Sequence, residues 1–119
     1  MEHHSTNAVH VETLEGTSSE TVILKVRGPL TIHNFFEFRD LCRHQTAPIL
    51  LIDLSGVPYL DSAALGSLVG VHVSRENAGK KYAVVGANSR LQNLFGITKV
   101  SQFLITFPTL PEAEASLAV

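Results

Sequence analysis

Apolar and polar residues alternate along the chain with two different periods, and each change of period marks an element boundary. Val9, Val11 and Leu14 mark an edge strand over residues 9–14, and Glu15-Gly16-Thr17-Ser18-Ser19-Glu20 has the composition of a loop. Residues 21–27 (TVILKVR) alternate again, with Val22, Leu24 and Val26 on one face. The two strands are close enough in sequence to pair as an antiparallel hairpin. Gly28-Pro29 ends the ladder, because proline has no N–H to donate.

From His33 to Gln45 the period becomes helical, with Phe35, Phe36, Phe38, Leu41 and Cys42 separated by charged residues. Pro48 closes that connection. Ile49 to Leu54 is an almost unbroken apolar run, as expected of a central strand covered on both faces. Asp61 suits the N-cap of a second helix, on which Leu65, Leu68, Val69 and His72 trace an inward stripe before Gly79 stops it. Residues 81–86 form a short Val-rich strand. Asn88 caps a helix bearing Leu91, Leu94 and Phe95, closed at Gly96. Residues 103–107 read as a last strand, and Thr109 with Glu112 has capping-box spacing before a C-terminal helix.

The order β-β-α-β-α-β-α-β-α specifies an α/β fold, a mixed sheet of about five strands with an N-terminal β-hairpin and about four helices. Its later strands run parallel through right-handed crossovers. Residues 1–8 are expected to be a flexible tail and 9–119 a single domain.

Composition narrows the functions. With 45% hydrophobic and 17% charged residues and a net charge of −2, the chain is a globular protein without a basic patch for nucleic acid or anionic lipid. Its apolar runs, such as residues 48–52, are too short to cross a bilayer, and the N-terminus has no leader pattern, so a cytoplasmic protein is expected. The lone Cys42 reads as a buried thiol. His3, His4, His10, His33, His44 and His72 show no ligand spacing, and no metal or other cofactor is expected.

The segment 51–66, LIDLSGVPYLDSAALG, resembles the signature of the STAS family, the domain of sulfate transporters and anti-sigma-factor antagonists. A buried strand ends in Asp-Leu, a short loop follows, and Asp-Ser opens the next helix. The turn Gly28-Pro29-Leu30 and the helix start Gly86-Ala87-Asn88 extend the similarity over about residues 9–118. The resemblance implies a non-enzymatic regulator of transcription that binds an anti-sigma factor with serine-kinase activity. Phosphorylation after the motif aspartate would abolish that binding and a phosphatase would restore it. Carried onto this chain, the motif aspartate is Asp61 and the hydroxyl after it is Ser62. Many antagonists carry two hydroxyls there; this chain has Ala63 at the second position, and Thr31 where many have an acidic residue.

The residues support a switch at Ser62 on their own terms as well. A first-turn residue lies beside unpaired N–H groups at the positive end of the helix dipole, where a phosphate is tolerated. It would add about −1.5 to −2 charges beside Asp61 and present an uncompensated anion to any docked partner. An unmodified helix-start serine fits the same position. Ala63, Gly66, Ser67, Gly70 and Ser74 share another helix face, which suits either close approach of a partner or packing within this protein. Tyr59 adds apolar area nearby, and Leu60 reads as core. The expected partner-binding set is therefore Tyr59, Asp61, Ser62, Ala63, Gly66, Ser67 and Gly70.

Catalysis finds little support. No G-x-S-x-G elbow or phosphate cradle is present. His72 lies about 15 Å along the helix from Ser62. Asp53 and Asp61 flank one loop, where capping and turn bonding are their ordinary roles. Two other readings stay open: an accessory or scaffold subunit of a stress-sensing or lipid-transport ABC complex, and a small-ligand sensor. An exposed edge strand at 9–14 would also allow a homodimer.

Overall fold

Residues 9–118 are described by a computed structural model; the expected tail at 1–8 lies outside the described residues. The strands are β1 (His10–Glu15), β2 (Thr21–Arg27), β3 (Ile49–Gly56), β4 (Lys81–Val85) and β5 (Thr106–Phe107). The helices are α1 (Phe35–Arg43), α2 (Ser62–Asn77), α3 (Ser89–Ile97) and α4 (Leu110–Leu117). The sheet order is β1-β2-β3-β4-β5. β1 and β2 form the antiparallel hairpin, with Val11 opposite Val26, and every later pairing is parallel.

Strand alternation sorts the core into two layers. Leu24, Val26, Leu50, Ile52 and Leu54 face α1, α2 and α3, where they meet Phe38, Leu68 and Leu91. Ile23, Ile49, Leu51, Ala83 and Val85 face the other way and are covered by Ala113 of α4. β3 is buried from Ile49 to Leu54 because it has a neighbour on each edge and a helical layer on each face. Its continuous apolar run follows from that position, since each fully buried aliphatic side chain contributes about 2 kcal/mol.

The hairpin ends at Gly28, whose φ of 101° turns the chain while its N–H donates to the Gly56 carbonyl at 3.0 Å. α2 closes in a Schellman motif: Lys80 N–H reaches the Arg75 carbonyl at 2.9 Å and Gly79 N–H that of Glu76 at 3.1 Å, with Gly79 at φ 68°.

Four details differ from the sequence-based expectation. Gly96 lies within α3, and the left-handed position after it is taken by Lys99 at φ 63°. The last strand is only Thr106–Phe107, because residues 100–102 form a 3₁₀ turn and Leu104 is drawn into the core. Phe36 is 51% exposed, since the short α1 can turn only Phe38 and Cys42 fully inward. On α2 the buried stripe is Ala64, Leu65, Ser67, Leu68, Val71 and Arg75, while Val69 and His72 are half-buried.

Candidate functional site

The motif loop lies where β3 ends and α2 begins, at the carboxyl ends of the parallel strands. Leu54, Val57 and Leu60 are buried and pin it to the core, which leaves Pro58 and Tyr59 outward. A second segment runs beside it. Leu30 N–H donates to the Tyr59 carbonyl at 3.1 Å, and Asp61 N–H donates to the Leu30 carbonyl at 3.2 Å. Leu30 and Leu60 thus form an isolated parallel bridge that joins the turn after β2 to the start of α2.

Asp61 completes this junction. Its Oδ1 accepts from Ala64 N–H at 3.0 Å, the N-cap bond, and its Oδ2 accepts from Ile32 N–H at 2.9 Å. Partial desolvation works against the charged carboxylate, but these backbone hydrogen bonds outweigh it and hold the group below its ordinary pKa. Both oxygens of the motif aspartate are therefore engaged in structure. Asp53 is likewise occupied: its Oδ1 accepts from Ser55 N–H at 2.9 Å in a local turn.

Ser62 follows as the first residue of α2 and is exposed. Around it the surface carries Ile32, 56% exposed, and Tyr59, 41% exposed, with the Arg90 guanidinium 5.3 Å above the Tyr59 ring. Asn88 steadies this edge, donating to the carbonyls of Val57 and Pro58 at 3.2 and 3.3 Å while its Oδ1 caps α3 at Leu91 N–H. Ile32 was not among the residues picked out from the sequence. The available signal was an aliphatic residue standing just past the Gly-Pro-Leu turn and outside any periodic element.

The small-residue set divides in two. Ser67 also lines the groove between α2 and α1, but it is buried and its hydroxyl is taken up within the helix, donating to the Ala64 carbonyl at 2.6 Å. Ala63, Gly66, Gly70 and Ser74 line an open groove between α2 and α1. A Cβ added at Gly66 or Gly70 would meet nothing within 4 Å, so packing inside this protein does not require either glycine. Tyr59, Asp61 and Ser62 thus share one surface, while Gly66 and Gly70 lie on another, with Ala63 between them.

Two further groups are committed to the fold. His72 Nδ1 lies 2.7 Å from the Tyr82 hydroxyl, which also accepts from Ile105 N–H at 3.2 Å. Cys42 is buried, and desolvation, only partly offset by the Arg75 charge, pushes its thiol pKa up to about 12. It is a neutral thiol at physiological pH. Among the described residues no cluster of three or more His, Cys, Asp or Glu side chains is placed to hold a metal, and no helix is long and apolar enough to cross a membrane.

Comparison with known proteins bears on the fold and the family. A Thermotoga neapolitana protein, named for its likeness to an anti-sigma factor antagonist, is 29% identical over 98 residues, covering 79% of this chain and 87% of its own. The crystal structure of a Thermotoga maritima protein of that description superposes with a TM-score of 0.84 at 21% identity, over 92% of this chain and 95% of the other. The Bacillus cell-fate determinant SpoIIAA in its phosphorylated form superposes with a TM-score of 0.67 at 18% identity, over 92% of this chain and 99% of its own. The STAS domain family itself matches residues 9–113, and the chain belongs to that family.

Proposed function

We propose that this protein is a regulatory binding domain of the anti-sigma-factor-antagonist kind, which docks an anti-sigma factor with serine-kinase activity and is released when Ser62 is phosphorylated. The observation that carries this reading is the division of labour at the start of α2. Asp61 is fully engaged in holding the helix and the 30–32 segment together, whereas Ser62 beside it is exposed among Ile32 and Tyr59. A phosphate on Ser62 would sit at the positive end of the α2 dipole, so the fold tolerates it. Repulsion from Asp61 keeps its charge directed toward solvent and toward whatever packs on the two apolar side chains. A loss of about 2.7 kcal/mol there weakens a complex about a hundredfold. The naming of the Thermotoga relatives and the phosphorylated state of SpoIIAA support the same class. In this reading a phosphatase resets the switch.

The direct experiment is affinity capture from source-cell lysate with wild type and Ser62→Asp as paired baits, followed by mass spectrometry and binding of the recovered protein in purified form. Retention of a kinase-like ATPase by wild type alone supports the switch. Retention of the same membrane or scaffold components by both baits would replace it with an accessory-subunit role. Ala63 is the observation that favours this second reading, because the second motif position offers no hydroxyl.

A further inference from the structure

The groove between α1 and α2 has a volume of about 460 Å³ and opens to solvent on the outer side of the helical layer. Its α2 wall is low: Ala63, Gly66, Gly70 and Ser74 succeed one another every three or four residues, over about 16 Å at 1.5 Å per residue. A glycine inside a helix is less favourable than alanine at the same position. Gly66 and Gly70 both carry that cost although a Cβ at either would meet nothing within 4 Å, so close packing within the described chain does not account for them. The α1 wall is basic. Arg39 and Arg43 stand one turn apart, and the lining residues include no carboxylate. The third arginine of the lining, Arg75, is already bonded to the carbonyls of Gln45, Ala47 and Lys81. Arg39 is held over the rings of Phe35 and Phe36, at 5.6 and 4.9 Å. Its Nε is shielded from solvent without a hydrogen-bond partner, and its ion-pair contact with Asp40 is long, at 3.8 Å.

We propose that this groove seats an acidic amphipathic helix of a partner protein, with aliphatic side chains over Gly66 and Gly70 and two carboxylates one turn apart against Arg39 and Arg43. The length and flatness of the α2 wall favour a helix, because glycines at four-residue spacing let a second helix backbone approach closely. The matched spacing of the arginines selects its charge. The inference rests on reading the chain as a protein-binding domain, but not on modification of Ser62.

The test uses the full chain and a stapled helical peptide of about 15 residues, carrying a leucine stripe flanked by glutamates four apart. A control peptide has every glutamate replaced by lysine. The glutamate peptide is expected to shift the backbone amides of residues 35–43 and 63–74 saturably in NMR titration, and to bind at least about tenfold more tightly than the control. Arg39→Glu with Arg43→Glu should reverse that preference. Gly70→Leu should fill the groove and abolish binding while its thermal melt stays intact, because the added side chain starts in open space. Ser62→Asp should bind the peptide like wild type, so loss of the phospho-switch reading would leave this result standing. Several outcomes overturn the proposal: no saturable shift at about 1 mM peptide, equal affinity for both peptides, or unchanged binding by Gly70→Leu. Equal shifts by benzoate alone would make the groove a small-acid site instead. A wild-type dimer that Gly70→Leu makes monomeric would make the occupant a second copy.

Discussion

Asp61 accepts from two backbone amides that come from opposite sides of the site, Ala64 within its own helix and Ile32 from the turn after β2. Asp61→Ala leaves both N–H groups without that acceptor, and loss of an N-cap side chain costs about 1 kcal/mol, toward 2 when a second bond is lost with it. The cost should depend on pH in a defined direction. The folded-state pKa of Asp61 lies below its ordinary value, so ionisation favours the fold. That contribution is complete above the unfolded-state pKa of about 3.9 and disappears as pH falls through the lower folded value. Urea titrations of wild type and Asp61→Ala should show a constant stability gap from pH 7 to about 5, narrowing below about pH 4. A gap that stays constant down to pH 2.5 would show that the carboxylate charge contributes nothing. Half of this residue's role was legible in the sequence. The cap spans three positions and is recognisable from residue type alone, whereas the bond to Ile32 spans 29 positions and depends on the Leu30–Leu60 bridge. For the same reason Ile32 was missed as part of the surface.

At the scale of elements, period and cap chemistry located the five strands and four α-helices of the described residues, and the errors gathered where contacts between elements decide the outcome. The last strand is shorter than its apolar run because Leu104 turns into the core and Ile105 N–H bonds to the Tyr82 hydroxyl. The stripe read on α2 through Leu65, Leu68 and His72 continues to Arg75, a position whose charge concealed its burial. Arg75 is 4% exposed, and its guanidinium donates to the carbonyls of Gln45, Ala47 and Lys81 at 2.7–3.2 Å. It therefore ties the end of α2 to the chain entering β3 and to the start of β4. Arg75→Met preserves much of the side-chain volume but leaves those carbonyls without the guanidinium that satisfies them. Hydrogen bonds to a charged donor are worth about 1.5–3 kcal/mol each, but methionine also removes the cost of burying a guanidinium, so the net loss is expected to be about 2–4 kcal/mol. Chemical denaturation should show a lower midpoint with an unchanged slope. A change within about 0.5 kcal/mol would mean that solvent replaces the guanidinium at little cost.

For the whole molecule, the two surfaces proposed for binding lie on the same helix and do not share their exposed side chains. Ser62 opens α2 toward Ile32 and Tyr59, while Gly66 and Gly70 face the groove shared with α1. The core beneath both is continuous, with Leu65 and Leu68 packed among the sheet residues. The switch proposed at Ser62 would have to change recognition without loosening that core. An aspartate at the first turn of a helix interacts favourably with its dipole by about 0.3–1 kcal/mol, offset here by repulsion from Asp61. Ser62→Asp should therefore melt within about 3 °C of wild type. Its affinity for the proposed anti-sigma partner should nevertheless fall about a hundredfold. Calorimetry and binding measured on the same preparation provide the check. If the melting temperature falls by about 10 °C or more, the lost affinity reports a damaged helix start, and Ser62 is then a structural residue. If it stays level while binding falls, the negative charge acts at the interface, as expected of a site that can be phosphorylated without unfolding the domain.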